Sequence, residues 1–329
     1  MIVGGGKYRY QVVEGWGRIP EGWHLADVPG VATDAQDRVY LFNRSEHPVI
    51  VLDPDGRFLG SWGEGLFGRA HGITVTGDGF VYCADDLDHT VLKFTLDGRL
   101  VATLGTPHQP SDSGYTPDSP NSLSTIRRGA APFNRPTRAA VAPGGDLYVT
   151  DGYGNARVHR FSAGGEWMAS WGEPGEDPGQ FKLPHSAWVH TDGRVFVCDR
   201  ENGRIQIFDP DGTFLGAWTD VGRPMDLVID GDNVVFIAGW HWWEGDVSLA
   251  GDAKQASPPV QVRIRDLDGR HLAAWGGTDP AAVGSCVAAH GLCLDSRGDL
   301  YVVEVAKQGL ARRNLYRSEH WPVHKYARI

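Results

Sequence analysis

Three histidines recur at one phase of an internal sequence repeat, and they occupy every second copy of it. They are His71, His185 and His290. If the repeats close into a ring, alternate copies lie about a third of a turn apart and the three imidazoles converge on the axis. Three imidazoles with an open fourth position are a ligand set of catalytic zinc, so the spacing predicts a Zn2+ site. No carboxylate follows these histidines at a fixed spacing, as a calcium or magnesium site would require.

One repeat unit contains an apolar strand, a tight polar turn, a second strand that ends near Asp, a third strand, a DG turn and a fourth strand that ends in Trp-Gly. The clearest copies cover residues 31–63, 73–105, 139–172 and 187–219, a fifth copy starts at Leu227 and a sixth at Leu292. Gly and Asp favour hairpin turns because Gly tolerates positive φ and Asp bonds its own turn backbone. Four antiparallel strands at a period of roughly 45 residues predict an all-β fold, a six-bladed β-propeller.

The sixth copy lacks a fourth strand, whereas the segment YRYQVVEGWG near the N-terminus reads as an isolated fourth strand. Pairing of this segment, residues 8–17, with the last blade would close the ring and remove two exposed sheet edges. We therefore predict one propeller domain over residues 1–329, with insertions at 106–136 and 239–259.

The net charge of −10 gives no electrostatic reason to expect nucleic acid or an anionic membrane as a partner. No apolar run approaches the length of a membrane span, and MIVGGGKYRY lacks the apolar stretch of a signal peptide. The four cysteines form neither a CxxC pair nor a dense disulfide pattern, and Cys83 and Cys198 occupy equivalent core positions. We therefore expect a cytoplasmic protein; the sequence does not indicate its oligomeric state.

The long connections are predicted at one end of the ring and the tight turns at the other, an arrangement typical of a binding face. One residue precedes each first strand on that face: Pro29, His71, Thr137, His185, Met225 and His290. The ends of the second strands add Arg44, Asp86, Gly152, Arg200, Trp240 and Val305. Arg44 and Arg200 fit an anion clamp for a carboxylate, and the alternative is that each pairs with a nearby acid such as Glu46 or Glu201.

Tyr153, next to Gly152, is either a packed aromatic residue or, if its hydroxyl faces the metal, a proton carrier. Met225, Trp240 and Trp242 are further candidates for lining a substrate pocket.

Several segments resemble the lyase domain of the peptidylglycine α-amidating enzymes. They run from FNRPTRAAV through DGYGNARV, and include WGEPGEDPGQFKLPHS and VCDRENGRIQIF; the resemblance is dense over residues 133–208 and weaker elsewhere. These peptidyl-α-hydroxyglycine α-amidating lyases are six-bladed propellers of the NHL-repeat type. The resemblance implies zinc ligands at His71, His185 and His290, a catalytic tyrosine at Tyr153, and active-site arginines at Arg44 and Arg200.

The third histidine stands in Ala288-Ala289-His290-Gly291, where the family has Met-Pro-His-Asp. That Asp is a ligand of the family's structural calcium, so we do not predict calcium here. Secreted animal members have a cysteine where this chain has Gly154.

The implied activity is zinc-dependent cleavage of the C–N bond of an α-hydroxylated amide, which gives an aldehyde or glyoxylate-like product and an amide. The implied partner is a small-molecule or peptide-like substrate with a carboxylate. Three alternatives stay open: a zinc-dependent hydratase or hydrolase acting on another hydroxylated small molecule, a non-catalytic NHL propeller that binds protein or peptide, and a calcium-dependent lactonase-like propeller. The last would need Asp, Glu and Asn ligands at the axis, and the aligned positions supply only Asp86.

Overall fold

The structure, a computed structural model, describes residues 1–329 and contains six antiparallel sheets. Two strands precede the first repeat, β1 (Ile2–Gly5) and β2 (Tyr8–Val13). Blade one comprises β3 (Gly30–Thr33), β4 (Val39–Phe42), β5 (Val49–Leu52) and β6 (Phe58–Trp62). Blade two comprises β7 (Ala70–Val75), β8 (Phe80–Asp85), β9 (Thr90–Thr95) and β10 (Leu100–Leu104).

The next three blades repeat this meander. Blade three comprises β11 (Pro136–Val141), β12 (Leu147–Asp151), β13 (Arg157–Phe161) and β14 (Trp167–Trp171). Blade four comprises β15 (Pro184–Val189), β16 (Val195–Asp199), β17 (Arg204–Phe208) and β18 (Phe214–Trp218). Blade five comprises β19 (Arg223–Ile229), β20 (Val234–Trp240), β21 (Val262–Asp266) and β22 (His271–Trp275).

Blade six combines the two ends of the chain. Its strands are β23 (Ala289–Leu294), β24 (Leu300–Glu304) and β25 (Val323–Arg328), and the sheet continues from β25 to β2 and then β1. The prediction that the N-terminal segment supplies the missing fourth strand is confirmed. The fifth strand, β1, was not predicted; two of the four residues of Ile2–Gly5 are glycines, which are depleted in strands.

The first strands line the axis, where each packs against the first strands of its two neighbours: β3 against β7, β7 against β11, and so on through β23, which returns to β3. The hydrophobic cores lie between adjacent blades; one, for example, joins Tyr148 and Val158 of blade three to Val195 and Phe208 of blade four. Because each first strand is packed on both sides, its end at the axis is held in a fixed position. Side chains at these ends can therefore be oriented precisely.

The long connections lie at one end of the ring, as predicted. The first includes a short 3-10 helix (Ser122–Thr125), and a six-residue helix, α1 (Ala306–Ala311), lies between β24 and β25. The four cysteines are buried free thiols, and no helix has the length and apolar character needed to cross a bilayer.

Candidate metal centre and surrounding site

The three histidines lie at equivalent positions of alternate blades, each as the second residue of a first strand: β7, β15 or β23. In each of these strands the pairing register with the second strand shifts at the histidine, between Ala70 and Ile73, Pro184 and Ser186, or Ala289 and Gly291. A β-bulge re-aims the side chain of its extra residue. The bulges therefore account for the inward direction of all three imidazoles.

The other three blades hold these imidazoles in place through backbone carbonyls. The Nδ1 of His71 donates to the carbonyl oxygen of Thr137 at 2.7 Å, and that of His185 donates to Met225 at 2.7 Å. The Nδ1 of His290 donates to Pro29 at 2.8 Å. The six residues aligned in the sequence thus alternate between imidazole and acceptor carbonyl around the ring. Because each Nδ1 carries the proton, each Nε2 keeps a free lone pair, as a metal ligand requires.

The imidazoles form a compact, buried cluster. Their ring centroids are 4.8, 5.0 and 4.6 Å apart, and one ring nitrogen of each lies within 4.8 Å of those of the other two. Burial, followed by the charges of neighbouring imidazoles and guanidiniums, lowers the pKa of His71, His185 and His290 well below 6.5. The rings are therefore neutral at pH 7, and the donor set fits a divalent transition metal.

Tyr153 brings its hydroxyl to the edge of this cluster from the loop after β12. The hydroxyl lies 3.3 Å from Nε2 of His71 and 3.5 Å from Nε2 of His185. It also accepts a hydrogen bond from Nη1 of Arg200 at 3.1 Å. The phenol oxygen thus lies within hydrogen-bond distance of two candidate metal ligands and one guanidinium.

Arg200 is part of a buried charge network. Its Nε donates to Oε1 of Glu201 at 2.8 Å, and Arg223 donates to the same oxygen through Nε at 3.0 Å. Burial opposes ionisation of Glu201, but Arg223 and Arg200 outweigh it and lower the pKa to about 2. The pairing of Arg200 with Glu201 is therefore observed, and Arg200 still directs Nη1 at Tyr153.

Arg44 is only partly satisfied. Its Nε donates to the carbonyl of Ala70 at 3.0 Å and its Nη1 to Oε1 of Gln308 at 2.8 Å, whereas Asp27 is 3.9 Å away. Its Nη2 is buried and has no hydrogen-bond partner. The acids whose charges act on Arg44 are thus Asp86 and Asp27 and not Glu46, and one guanidinium nitrogen is without a hydrogen-bond partner.

Trp240 and Trp242 lie behind the charge network. The Arg223 guanidinium is 5.2 Å from the Trp240 ring centroid and 4.4 Å from that of Trp242, so both rings stack on this cation. Met225 has a fully buried side chain, and its carbonyl orients His185. These three predicted pocket residues contact the residues that support the site.

Sequence reasoning missed Arg69 and gave Asp86 no role. Asp86 is completely buried, its two carboxylate oxygens lack hydrogen-bond partners, and Arg69 lies 3.5 Å away. The Arg69 guanidinium also lies 5.8 Å from the Tyr153 ring centroid. The available signal was position: Arg69 comes two residues before His71, and Asp86 stands at the second-strand end aligned with Arg44 and Arg200.

The two long insertions meet above Tyr153. Leu123 and Ile126 of the first insertion form an apolar cluster with Leu183. Tyr153 packs against this cluster, and so does Leu249 of the second insertion. The amide of Leu123 donates to the carbonyl of Leu249 at 3.2 Å. The amide of Leu249 in turn donates to Oε2 of Glu201 at 3.1 Å. This contact, here called the lid contact, covers one side of the site.

Comparison with known proteins agrees with this architecture. The NHL repeat family matches residues 133–161 and 181–208. Human NHL repeat-containing protein 3 is 33% identical over 232 residues, which are 65% of this chain and 61% of that protein. Peptidyl-glycine alpha-amidating monooxygenase B of Xenopus laevis is 31% identical over 217 residues, 56% of this chain and 23% of that protein.

A probable peptidyl-alpha-hydroxyglycine alpha-amidating lyase of Caenorhabditis elegans is 30% identical over 189 residues, 53% of this chain and 49% of that protein. This chain therefore spans less than two thirds of each of these relatives. The solved structure of a streptogramin B lyase superposes with a TM-score of 0.59 at 14% identity, over 96% of this chain and 97% of that one, and shares the fold.

Proposed function

We propose that this six-bladed propeller, which matches the NHL repeat in two segments and is similar in sequence to an amidating lyase, is a zinc-dependent carbon–nitrogen lyase. Its substrate is an α-hydroxylated amide that carries a carboxylate. The observation that carries the proposal is the position of the Tyr153 hydroxyl, within 3.5 Å of two imidazole Nε2 atoms and 3.1 Å from Arg200.

His71, His185 and His290 would hold the zinc ion. Bound there, zinc would supply Lewis acidity towards the substrate hydroxyl. The backbone carbonyls of Thr137, Met225 and Pro29 keep the three imidazoles in the tautomer that binds metal.

Tyr153 is the proton carrier of the proposed reaction. The Arg200 guanidinium donates to the phenol oxygen and so holds it beside the histidine cluster. The Tyr153 oxygen takes up the proton of the substrate hydroxyl as the C=O bond of the product forms and the C–N bond breaks. The same proton then passes from Tyr153 to the departing amide nitrogen, so the products are an aldehyde and an amide and the tyrosine is regenerated.

Arg44 is the proposed anchor for the substrate carboxylate. Its Nη2 is buried and unpaired, while its other nitrogens are fixed by Ala70 and Gln308. A carboxylate oxygen would satisfy this nitrogen with a charge-assisted hydrogen bond.

The test combines metal analysis with an activity assay. We expect zinc in the purified protein, glyoxylate release from N-acyl-α-hydroxyglycines, and weaker binding of the corresponding carbinolamide that lacks the carboxylate. His185→Ala should lose zinc from this centre and activity together. A His185→Ala protein that releases glyoxylate at the rate of the unaltered enzyme would overturn the proposal.

A further inference from the structure

A second cluster of metal-binding side chains lies in blade six, at the end of β24. Oε2 of Glu304 is 2.8 Å from Nε2 of His320 and 2.6 Å from Nε2 of His324. Glu304 is completely buried, and the side chains of His320 and His324 are 9% and 17% exposed. The three ligand atoms lie within 4.8 Å of one another. Two imidazoles that meet on one carboxylate oxygen present three donors to one point.

The repeat shows what is new in this arrangement. In four blades the second strand ends in an acidic residue: Asp85, Asp151, Asp199 or Glu304. Each of these carboxylates accepts a hydrogen bond from a backbone amide in the segment that leads into the first strand. In blade six that amide is Ala288, which donates to Oε1 of Glu304 at 2.7 Å. Glu304 is longer than Asp by one methylene, so Oε1 keeps the structural contact while Oε2 reaches the two imidazoles.

The strand register identifies which histidine has a counterpart. His324 pairs with Val302 of β24, as Gln206 pairs with Val197 in blade four. Gln206 donates to Asp199 at 3.2 Å, so one hydrogen bond from the third strand is a structural feature of the fold. His320 has no such counterpart, because it lies in the connection between the second and third strands, which is a short turn in blades one to four. Blade five has a long connection there, but Gly239 stands where the second strands of blades two, three, four and six carry an acid.

The cluster opens onto a cavity. His320 and His324 line a cavity of about 400 Å³ whose other walls include Glu14 and Glu319. The fully buried Glu304 cannot face solvent, but the two imidazoles can. An ion bound by the three side chains would therefore have open coordination positions directed towards this cavity.

We propose that Glu304, His320 and His324 form a second metal site, and that its ion is zinc. Two imidazoles and one carboxylate are an established zinc donor set that leaves a fourth position for water. The ion replaces the imidazole protons that now bridge to the carboxylate, and it ties the segment that carries α1 to β24 and β25. Since Gln308 of α1 bonds Arg44, the second ion also fixes one wall of the first site.

The experiment counts zinc in protein whose first site is disabled. We expect two equivalents per chain in the unaltered protein, one in His185→Ala, and none in His185→Ala/His324→Gln after desalting. Gln is chosen because Gln206 fills the matching position in blade four, so the hydrogen bond to Glu304 and the fold are retained. His185→Ala/His271→Ala is the matched control: His271 is an exposed histidine of β22, and this variant should keep one equivalent.

A second variant and a second readout make the result independent of folding and of catalysis. His320 lies outside the strands, so its substitution should not disturb a blade. His185→Ala/His320→Asn should therefore also lose the zinc that His185→Ala retains. Chelation should lower the melting temperature of His185→Ala and leave that of His185→Ala/His324→Gln unchanged. Equal zinc content in these two proteins, or no zinc in His185→Ala, would overturn the second site without affecting the first.

Discussion

The Tyr153 hydroxyl is the polar group that joins the histidine cluster to the buried arginine network. Its only role in the proposed reaction is to carry a proton, and it is not needed as a metal ligand. We predict that Tyr153→Phe lowers kcat by about 10²–10⁴-fold, the usual contribution of a positioned acid–base group, while zinc content stays unchanged. Glyoxylate release and metal analysis on the same preparation check both halves. Loss of zinc together with activity would instead identify Tyr153 as a group that holds the metal.

Glu201 lies between Arg200 and Arg223, and its charge should make stability depend on pH. The two guanidiniums lower its pKa from 4.5 to about 2 in the folded state. A pKa that is lower in the folded than in the unfolded protein stabilises the fold at any pH above the unfolded-state pKa, and this stabilisation disappears as the pH falls towards 2. The shift corresponds to a contribution on the order of 3 kcal/mol to the free energy of unfolding. Glu201→Gln should therefore lower stability at pH 7 and flatten the decline in the free energy of unfolding between pH 4.5 and 2.

Urea titrations across that range provide the measurement. Glu166→Gln, at an exposed side chain in the turn before β14, should leave the pH profile unchanged. Parallel profiles for the unaltered protein and Glu201→Gln would show that the carboxylate does not pair with these arginines in solution.

A β-bulge near the start of the first strand both directs the histidines and places the carbonyls that bind them. A bulge at the second position of β7, β15 and β23 turns a histidine towards the axis. The matching bulges of β11 and β19 fall at Thr137 and Met225. The backbone carbonyls of these two residues accept hydrogen bonds from the imidazoles. The acceptor is backbone, so its side chain is free to vary. This explains why six aligned positions alternate between histidine and residues as different as Pro29, Thr137 and Met225.

The lid contact between the two insertions is separate from the strand ladders, so it should open without unfolding the blades. We predict that Leu249→Ser weakens this contact by about 1–2 kcal/mol and accelerates proteolysis within residues 239–259 by roughly 5- to 30-fold, with little change in the melting temperature. Val247→Ser is the matched control because Val247 is 58% exposed in the same insertion. Equal cleavage rates for the two variants would mean that Leu249 does not hold the lid.

The architecture could be predicted from sequence because its signals are local and repeated. Alternating strands and turns with Asp and Gly recur along the chain, and four of the six fourth strands end in Trp-Gly. The segment YRYQVV supplied the strand that the sixth copy lacks. The convergence of the histidines followed from their phase. The rest depends on contacts between distant segments: Arg223 reaches Glu201 across blades, Gln308 reaches Arg44 from the other end of the chain, and carbonyl acceptors leave no mark in the sequence.

We expect the stability of the whole propeller to depend on ring closure by β2. Tyr8, Tyr10 and Val12 are buried in the core shared by blades five and six, and Tyr10 packs on Trp275 with ring centroids 5.6 Å apart. Removal of residues 1–14 would expose these contacts and leave β25 as an open edge. Burial of an aromatic or large aliphatic side chain contributes about 1.5–3 kcal/mol, so the deletion should cost roughly 5 kcal/mol or more, a large part of the stability of a typical protein.

Thermal and urea unfolding of the two truncations test this closure. Removal of residues 1–6 alone takes away β1, whose residues are at most half-buried, and should have a much smaller effect. The longer deletion should also aggregate, because an unpaired β25 can pair with another chain. If both truncations unfold at the temperature of the full chain, the ring is held by its blade-to-blade cores and not by β2.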